Sequence, residues 1–424
     1  MLRFATAGSV DDGKSTLVGR LLHDSKSVLA DTLEAVERAS RDRGSDGMEL
    51  ALLTDGLRAE REQGITIDVA YRYFTTARRK FVLADTPGHV QYTRNMVTGA
   101  STAELVVILI DARKGVVEQT RRHLAVAALL GVRHLVLAVN KMDLVGFDES
   151  VFSAIAADFA RAAQRLGVGA YTVIPVSALA GDNVVEPSES MPWYAGPTLL
   201  EHLETVPVGI DASGQLARFP VQYVVRSADY RGYAGQLASG VLRVGDDVVV
   251  LPSGLRSTVV GIDAFEASFD VAYAPQSVTV RLADELDVGR GDLLVRPGEE
   301  PRIVREFDAT VCQLSDRPLH AGDRVLVKHT TRVVKAVVDR VNYCLDIETL
   351  AHDSSAKSLV LNEIGGVTLR VAAPVAVDDY AVDRLTGSFL VIDEHDGQTL
   401  AAGLVGDPIA SGVLEHSAAD SPSS

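Results

Sequence analysis

Gly8-Ser9-Val10-Asp11-Asp12-Gly13-Lys14-Ser15-Thr16 is the stretch on which the reading of this chain turns. It has the form G-x-x-x-x-G-K-[ST], a loop built to hold a polyphosphate. Glycines let the backbone curl until its N–H groups point inward at phosphate oxygens. Lys14 brings a positive charge to the β- and γ-phosphates, and the Ser15 hydroxyl is placed to ligate Mg²⁺. Ser9, Val10, Asp11, Asp12 and Thr16 complete the cradle. The flanks agree with this reading. Leu2–Ala7 is predicted to be a strand, and Ser15–His23 a helix whose N-terminal dipole faces the phosphates.

At 424 residues the chain has room for two or three domains. Its hydrophobic share of 47% and charged share of 23% are those of a soluble globular protein. A formal net charge of −16 weighs against a broad nucleic-acid surface. Only two cysteines are present, Cys312 and Cys344, which excludes a disulfide framework and points to a reducing compartment. The apolar run Leu105–Ile110 is of buried-strand length, too short to cross a bilayer. No signal peptide fits before a strand that begins at residue 2. Cytoplasmic location, with no membrane and no nucleic-acid partner, is the expectation.

Strand-like and helix-like stretches alternate to about residue 209. Strands are predicted at Leu2–Ala7, Phe81–Ala84, Val106–Asp111, Leu135–Val139 and Tyr171–Pro175, and helices at Ser15–His23, Gln119–Leu130 and Ser150–Leu166. The central strands are apolar on both faces, as parallel strands covered by helices must be. The fold class expected is therefore a doubly wound, mostly parallel α/β domain with a phosphate loop. After Pro207-Val208-Gly209 the pattern changes to β-branched runs punctuated by Gly-Asp turns. Arg296-Pro297-Gly298-Glu299-Glu300-Pro301 reads as a linker. The expected domains are 1–209 (nucleotide-binding), 210–302 and 303–415 (two all-β barrels), with a disordered tail at 416–424.

Three further motifs follow strands of the first domain. Asp85-Thr86-Pro87-Gly88-His89 places a carboxylate beside the phosphate loop, where it can hold Mg²⁺ through a water. The Gly88 N–H can reach a γ-phosphate, and an imidazole at His89 can order the attacking water. Asn140-Lys141-Met142-Asp143 suits guanine. An Asp143 carboxylate accepts from N1–H and the exocyclic amine, a donor pair that adenine lacks. Asn140 can meet N7 or O6, and the Lys141 stem can lie along the base face. Ser177-Ala178-Leu179 can offer a backbone N–H to O6. Gly64-Ile65-Thr66-Ile67-Asp68 lies in the order where a Thr66 hydroxyl and carbonyl close over Mg²⁺ and γ-phosphate. Four motifs in the order phosphate, metal, base, base define a GTP-binding domain with GTP and Mg²⁺ as ligands. Lys14, Thr66 and His89 are the candidate catalytic residues, and Ser15, Thr66 and Asp85 the candidate metal ligands.

The phosphate loop, Gly64–Ile67 and Asp85–His89 together resemble the translation-factor class of GTPases, and two trailing barrels are similar to the elongation factor Tu architecture. Longer segments separate members of that class. Thr54–Phe74, Trp193–Glu201 and Tyr230–Gly235 resemble the GTPase (large) subunit of the two-subunit sulfate adenylyltransferase, and this resemblance extends to about residue 410. It implies a GTP-hydrolysing subunit that drives the joining of sulfate to the AMP moiety of ATP. The transfer itself would occur on a small partner subunit. The absence of a second nucleotide loop and of any His-x-x-His pair agrees with that division. The resemblance also implies a hydrophobic gate of Val10 and Ile65 beside His89, and Asp11 as a monovalent-cation ligand. Asp12 stands where translation factors usually carry a histidine. Some relatives continue into an adenylylsulfate kinase domain, so a kinase supplied elsewhere is a second candidate partner. The alternative from another class is an elongation-factor-like GTPase that delivers aminoacyl-tRNA.

Overall fold

Leu105-Val106-Val107-Ile108-Leu109-Ile110-Asp111 is buried at every position. A strand of that kind needs cover on both faces, which a parallel sheet flanked by helices supplies. The computed structural model describes residues 1–25, 36, 50, 69–87, 93–209, 214–265 and 267–407. The chain divides into two compact units, the first built on Met1–Val208 and the second beginning at Gly209.

Among its described residues the first unit has six strands: β1 (Leu2–Ala7), β2 (Ala70–Thr75), β3 (Lys80–Asp85), β4 (Leu105–Asp111), β5 (His134–Asn140) and β6 (Thr172–Pro175). Their order in the sheet is β2-β3-β1-β4-β5-β6. Neighbours from β3 to β6 run parallel, and β2 alone is antiparallel, on β3. Because β1 lies between β3 and β4, the winding reverses beside it. Open α/β sheets bind ligands at such switch points, outside the carboxyl ends of the strands. Among the described residues of this unit the α-helices are α1 (Lys14–Asp24), α2 (Thr93–Ser101), α3 (Glu118–Leu129), α4 (Glu149–Arg165) and α5 (Leu199–Thr205). Leu17, Val18, Leu21 and Leu22 recur at helical spacing and form the buried face of α1. That face joins Phe4, Phe74 and Phe81 in one core. The Phe74 and Phe81 rings stack with centroids 4.6 Å apart, and Phe4 meets both edge-on.

The predicted strands and helices of this unit all form, with ends displaced by at most one residue. Three elements went unpredicted. Strand β2 lies at the sheet edge, so its side chains are only partly buried and give no apolar run. Helices α2 and α5 span 9 and 7 residues, too short to show a sustained period. For α5 a start signal exists: the Thr198 hydroxyl accepts from the Glu201 N–H at 3.2 Å, an N-cap of the T-x-x-E type.

The second unit holds two six-stranded antiparallel barrels. In the first, Asp247–Leu251, Leu293–Val295, Phe219–Ser227, Tyr230–Gln236, Ser277–Leu282 and Leu255–Ala264 follow in spatial order, and the last pairs back to the first. The second closes in the same way through Arg324–His329, Ser388–Asp393, Thr399–Val405, Arg302–Gln313, Ile364–Val377 and Arg332–Asp346. Closure removes the free sheet edges. Within the first barrel, a Cβ on Gly235 would lie 2.4 Å from the Pro220 carbonyl, so only glycine allows the two strands to approach there. Neither Cys312 nor Cys344 is in a disulfide.

A buried ion pair links the barrels. The Arg218 guanidinium donates to both carboxylate oxygens of Asp378, at 2.8 and 2.9 Å, and to the Ala217 carbonyl at 3.0 Å. The Thr386 hydroxyl donates to the same carboxylate at 2.5 Å. Arg218 is 1% exposed, so neither charge has water to fall back on. Removing one partner of such a pair leaves an uncompensated charge and typically costs about 3–5 kcal/mol. Arg218→Ala is therefore expected to lower the unfolding free energy read from a urea titration by an amount in that range, with a corresponding fall in the midpoint. A midpoint unchanged from the parent chain would contradict the assignment.

Candidate functional site

The phosphate loop leaves β1 and enters α1. Asp11 and Gly13 adopt positive φ angles of 70° and 91°, which wrap the loop back on itself. The Asp12 carboxylate accepts the Ser9 N–H at 2.7 Å. It is buried, and burial raises its pKa above the usual carboxylate value. Asp12 thus braces the loop from inside. The Lys14 ammonium donates to the Gly8 carbonyl at 3.0 Å, which holds it across the mouth of the loop. Burial lowers its pKa, against the opposing pull of Asp85, Asp12 and Asp11. Ser15 and Thr16 open the first turn of α1. That turn has free backbone N–H donors and the positive end of the helix dipole, both suited to phosphate.

Strand register brings the other motifs to the same edge. Thr6 pairs with Asp85 across β1 and β3, and its hydroxyl donates to that carboxylate at 3.0 Å. The Thr86 hydroxyl donates back to the Thr6 carbonyl at 2.6 Å. These two bonds fix Asp85, Thr86 and Pro87 beside the phosphate loop. Asp111 pairs with Asn140 across β4 and β5. The Asn140 amide donates to the Asp12 carbonyl at 2.8 Å, and its oxygen accepts the Ala178 N–H at 2.9 Å. One side chain therefore ties together the phosphate loop, the first base loop and the second. Lys141 sits at φ 63°, and its ammonium donates to the Asp11 carbonyl. The Ser177 hydroxyl donates to the Asp143 carboxylate at 2.6 Å, which orients the group that would read a base. Leu179 is exposed at the rim of the second base loop, and the side chain of Arg20 donates to its carbonyl and to that of Ala178.

Trp193-Tyr194 buttresses this edge from behind. The Trp193 indole N–H donates at 3.0 Å to the carbonyl of Phe147, just beyond the first base loop. Its ring packs against Phe152 with centroids 5.3 Å apart. The Tyr194 hydroxyl donates to the Pro197 carbonyl at 3.0 Å.

Gly88, His89, Thr66 and the Gly64–Asp68 run lie outside the described residues, as does most of Thr54–Phe74. The rest of the predicted set converges. Sequence reasoning missed Thr6 and Asp111. The signal for Asp111 was present, since it ends β4 as Asp85 ends β3 and Asn140 ends β5. Among the described residues no cluster of three His, Cys, Asp or Glu groups could hold a metal alone. The candidate donors are hard oxygens, the Ser15 hydroxyl and the Asp85 carboxylate, which suit Mg²⁺ completing its shell with phosphate and water.

A phosphate loop at the switch point, a base-reading Asn-Lys-x-Asp loop tied to it, and two closed barrels define a P-loop GTPase of the elongation factor Tu type. Residues 1–212 match the family described as elongation factor Tu GTP binding domain, and residues 306–406 match the GTP-eEF1A C-terminal domain-like family. The bifunctional enzyme CysN/CysC of Mycobacterium tuberculosis (strain ATCC 25618 / H37Rv) is 56% identical over 411 residues, covering 96% of this chain and 67% of that protein. Sulfate adenylyltransferase subunit 1 of Sodalis glossinidius is 52% identical over 413 residues, covering 96% of this chain and 87% of the relative. The subunit 1 of Bacteroides fragilis is 50% identical over 412 residues, covering 96% and 86%. The chain belongs to the sulfate adenylyltransferase subunit 1 family, the GTPase subunits of that enzyme, and not to the tRNA-delivering branch.

A methyl group at Gly13 tests how tightly the two loops depend on each other. Its Cβ would lie 2.4 Å from Asn140 Nδ2, at a φ that other residues rarely adopt. Gly13→Ala is expected to cost on the order of 1–3 kcal/mol of stability and to weaken guanine-nucleotide binding by more than about tenfold. Calorimetric titration with GDP and a thermal melt measure both. Parental affinity would contradict the geometry.

Proposed function

We propose that the chain binds GTP with Mg²⁺ at the edge formed by Gly8–Thr16, Asp85–His89, Asn140–Asp143 and Ser177–Leu179, and hydrolyses it to drive adenosine 5′-phosphosulfate formation on a separate small subunit. Lys14 and the loop N–H groups bind the β- and γ-phosphates. Ser15, Thr66 and Asp85 serve the metal, Asp85 through water. Bound Mg²⁺ supplies neutralisation of the charge that develops on the phosphate oxygens. His89 orders the attacking water. Asp143 reads the N1–H and exocyclic amine of guanine, with Asn140, Lys141 and the Ala178 backbone completing the base site. Val10 and Ile65 flank His89, and Asp11 is a candidate ligand for a monovalent cation.

One observation carries the coupling to sulfate. Relatives that are sulfate adenylyltransferase subunits align over 96% of this chain, through both barrels and not the GTPase domain alone. The adenylylation of sulfate by ATP releases pyrophosphate and is unfavourable by itself, so an energy-coupling GTPase has a chemical purpose there. The small adenylyl-transferring subunit is the proposed partner, with an adenylylsulfate kinase acting downstream and the cytoplasm as the setting. No helix among the described residues is long and apolar enough to cross a membrane.

Three outcomes are expected in solution. The chain alone, given ATP and sulfate, makes no adenosine phosphosulfate. It prefers GTP over ATP by a wide margin in competition binding. His89→Ala keeps GTP affinity but slows hydrolysis by about a hundredfold or more, the scale of a lost general base. Product from the chain alone, equal binding of ATP and GTP, or parental hydrolysis by the variant would each contradict the corresponding part.

A further inference from the structure

Asp111 has no assigned part in the reading above, yet it is the most strongly engaged carboxylate at the site. It is fully buried at the carboxyl end of β4, between the phosphate loop and the first base loop. Two cations converge on it. Arg113 donates through Nε at 3.0 Å and through a terminal nitrogen at 2.6 Å, with its backbone N–H adding a third bond at 3.0 Å. Lys141 approaches the other side, with Nζ 3.1 Å from Oδ2. Burial alone would raise the pKa of this carboxyl, but the hydrogen bonds from Arg113 and Lys141 outweigh it and hold the group ionised.

The Lys141 ammonium has two anchors, the Asp111 carboxylate and the Asp11 carbonyl of the phosphate loop. A lysine stem is long and rotamer-rich, so one hydrogen bond to an exposed carbonyl would not fix it. A buried carboxylate on a central strand does. Lys141 also stands at positive φ, a backbone state that a β-carbon disfavours and that its surroundings must hold in place. Arg113 differs from Lys141: its side chain is half exposed.

We propose that Asp111 is a positioning residue that locks Lys141 and so couples the base-reading loop to the phosphate loop. In consequence, a guanine nucleotide is retained by both loops together and not by two independent half-sites. The inference rests on the GTP reading of the site and deepens it. Asp111 touches no substrate, so its loss acts on retention and leaves the hydrolytic step alone.

The test uses the full chain and a fluorescent GDP, with dissociation followed after a chase of unlabelled GDP. Asp111→Asn is expected to speed dissociation by about ten- to a hundredfold, the scale of a charge-assisted hydrogen bond. Binding stoichiometry stays at one nucleotide per chain, and the single-turnover rate of hydrolysis of bound GTP stays at the parental value. Lys141→Met speeds dissociation to a similar degree, and the double variant is no faster than either single one. Dissociation from Asp111→Asn at the parental rate, additive effects in the double variant, or an equal loss in the hydrolytic step would overturn the proposal. A fall in stoichiometry with an unchanged rate would assign Asp111 to fold maintenance and overturn it as well. If the parent chain itself retains no guanine nucleotide, the GTP reading fails first, and that result is distinct from all of these.

Discussion

Parallel strands all end on one edge of their sheet, and the site depends on that constraint. Residues far apart in sequence become neighbours because register places them so: Thr6 beside Asp85, and Asp111 beside Asn140. The chemistry then needs only one polar residue at the end of each strand. The bond from Asn140 to the Asp12 carbonyl converts neighbours into a single object, since it makes the shape of the base loop a condition of the shape of the phosphate loop. Gly13 is the other half of the same contact, because no side chain fits between it and Asn140.

The edge is polar, but the structure that aims it is apolar. Phe4, Phe74, Phe81 and the inner face of α1 seat the helix whose first turn follows the phosphate loop. Behind the first base loop, Trp193 holds the Phe147 carbonyl and packs on Phe152. The role of that tryptophan is thus mechanical: it holds the turn just beyond the loop that carries Asp143. In the barrel unit a buried charge pair, Arg218 with Asp378, works beside apolar packing of Val249, Leu251, Leu293 and Val295 on Ala376, and Thr386 adds a further hydrogen bond to the carboxylate.

Much of this was legible in the sequence, for physical reasons that differ by element. The central strands were plain because a doubly covered strand must be apolar throughout, as Leu105–Ile110 is. The motifs were plain because phosphate and guanine each demand particular groups at fixed spacing. Edge strand β2 was not, because its burial alternates but the large Tyr71 and Tyr73 fall on the exposed side and Arg72 on the inner one, so the residue types do not show that alternation. Nor were pairs set by tertiary closure. Arg218 and Asp378 are 160 residues apart, and nothing local to either points to the other. Asp111 falls between these cases: its place at a strand end was readable, but its partner Lys141 was visible only once the loops were folded. Asp12 was read as part of the cradle, and its carboxylate turns inward to brace Ser9.

The central claim is that GTP hydrolysis on this chain drives adenylylation on a partner. The most direct measurement is the amount of adenosine phosphosulfate formed from ATP and sulfate by the chain together with its small subunit, with GTP consumption followed in the same tube. Energy coupling requires that product accumulate far beyond its level without GTP, with GTP consumed in proportion. Product that reaches the same level whether or not GTP is present, or GTP consumed with no added product, would contradict it.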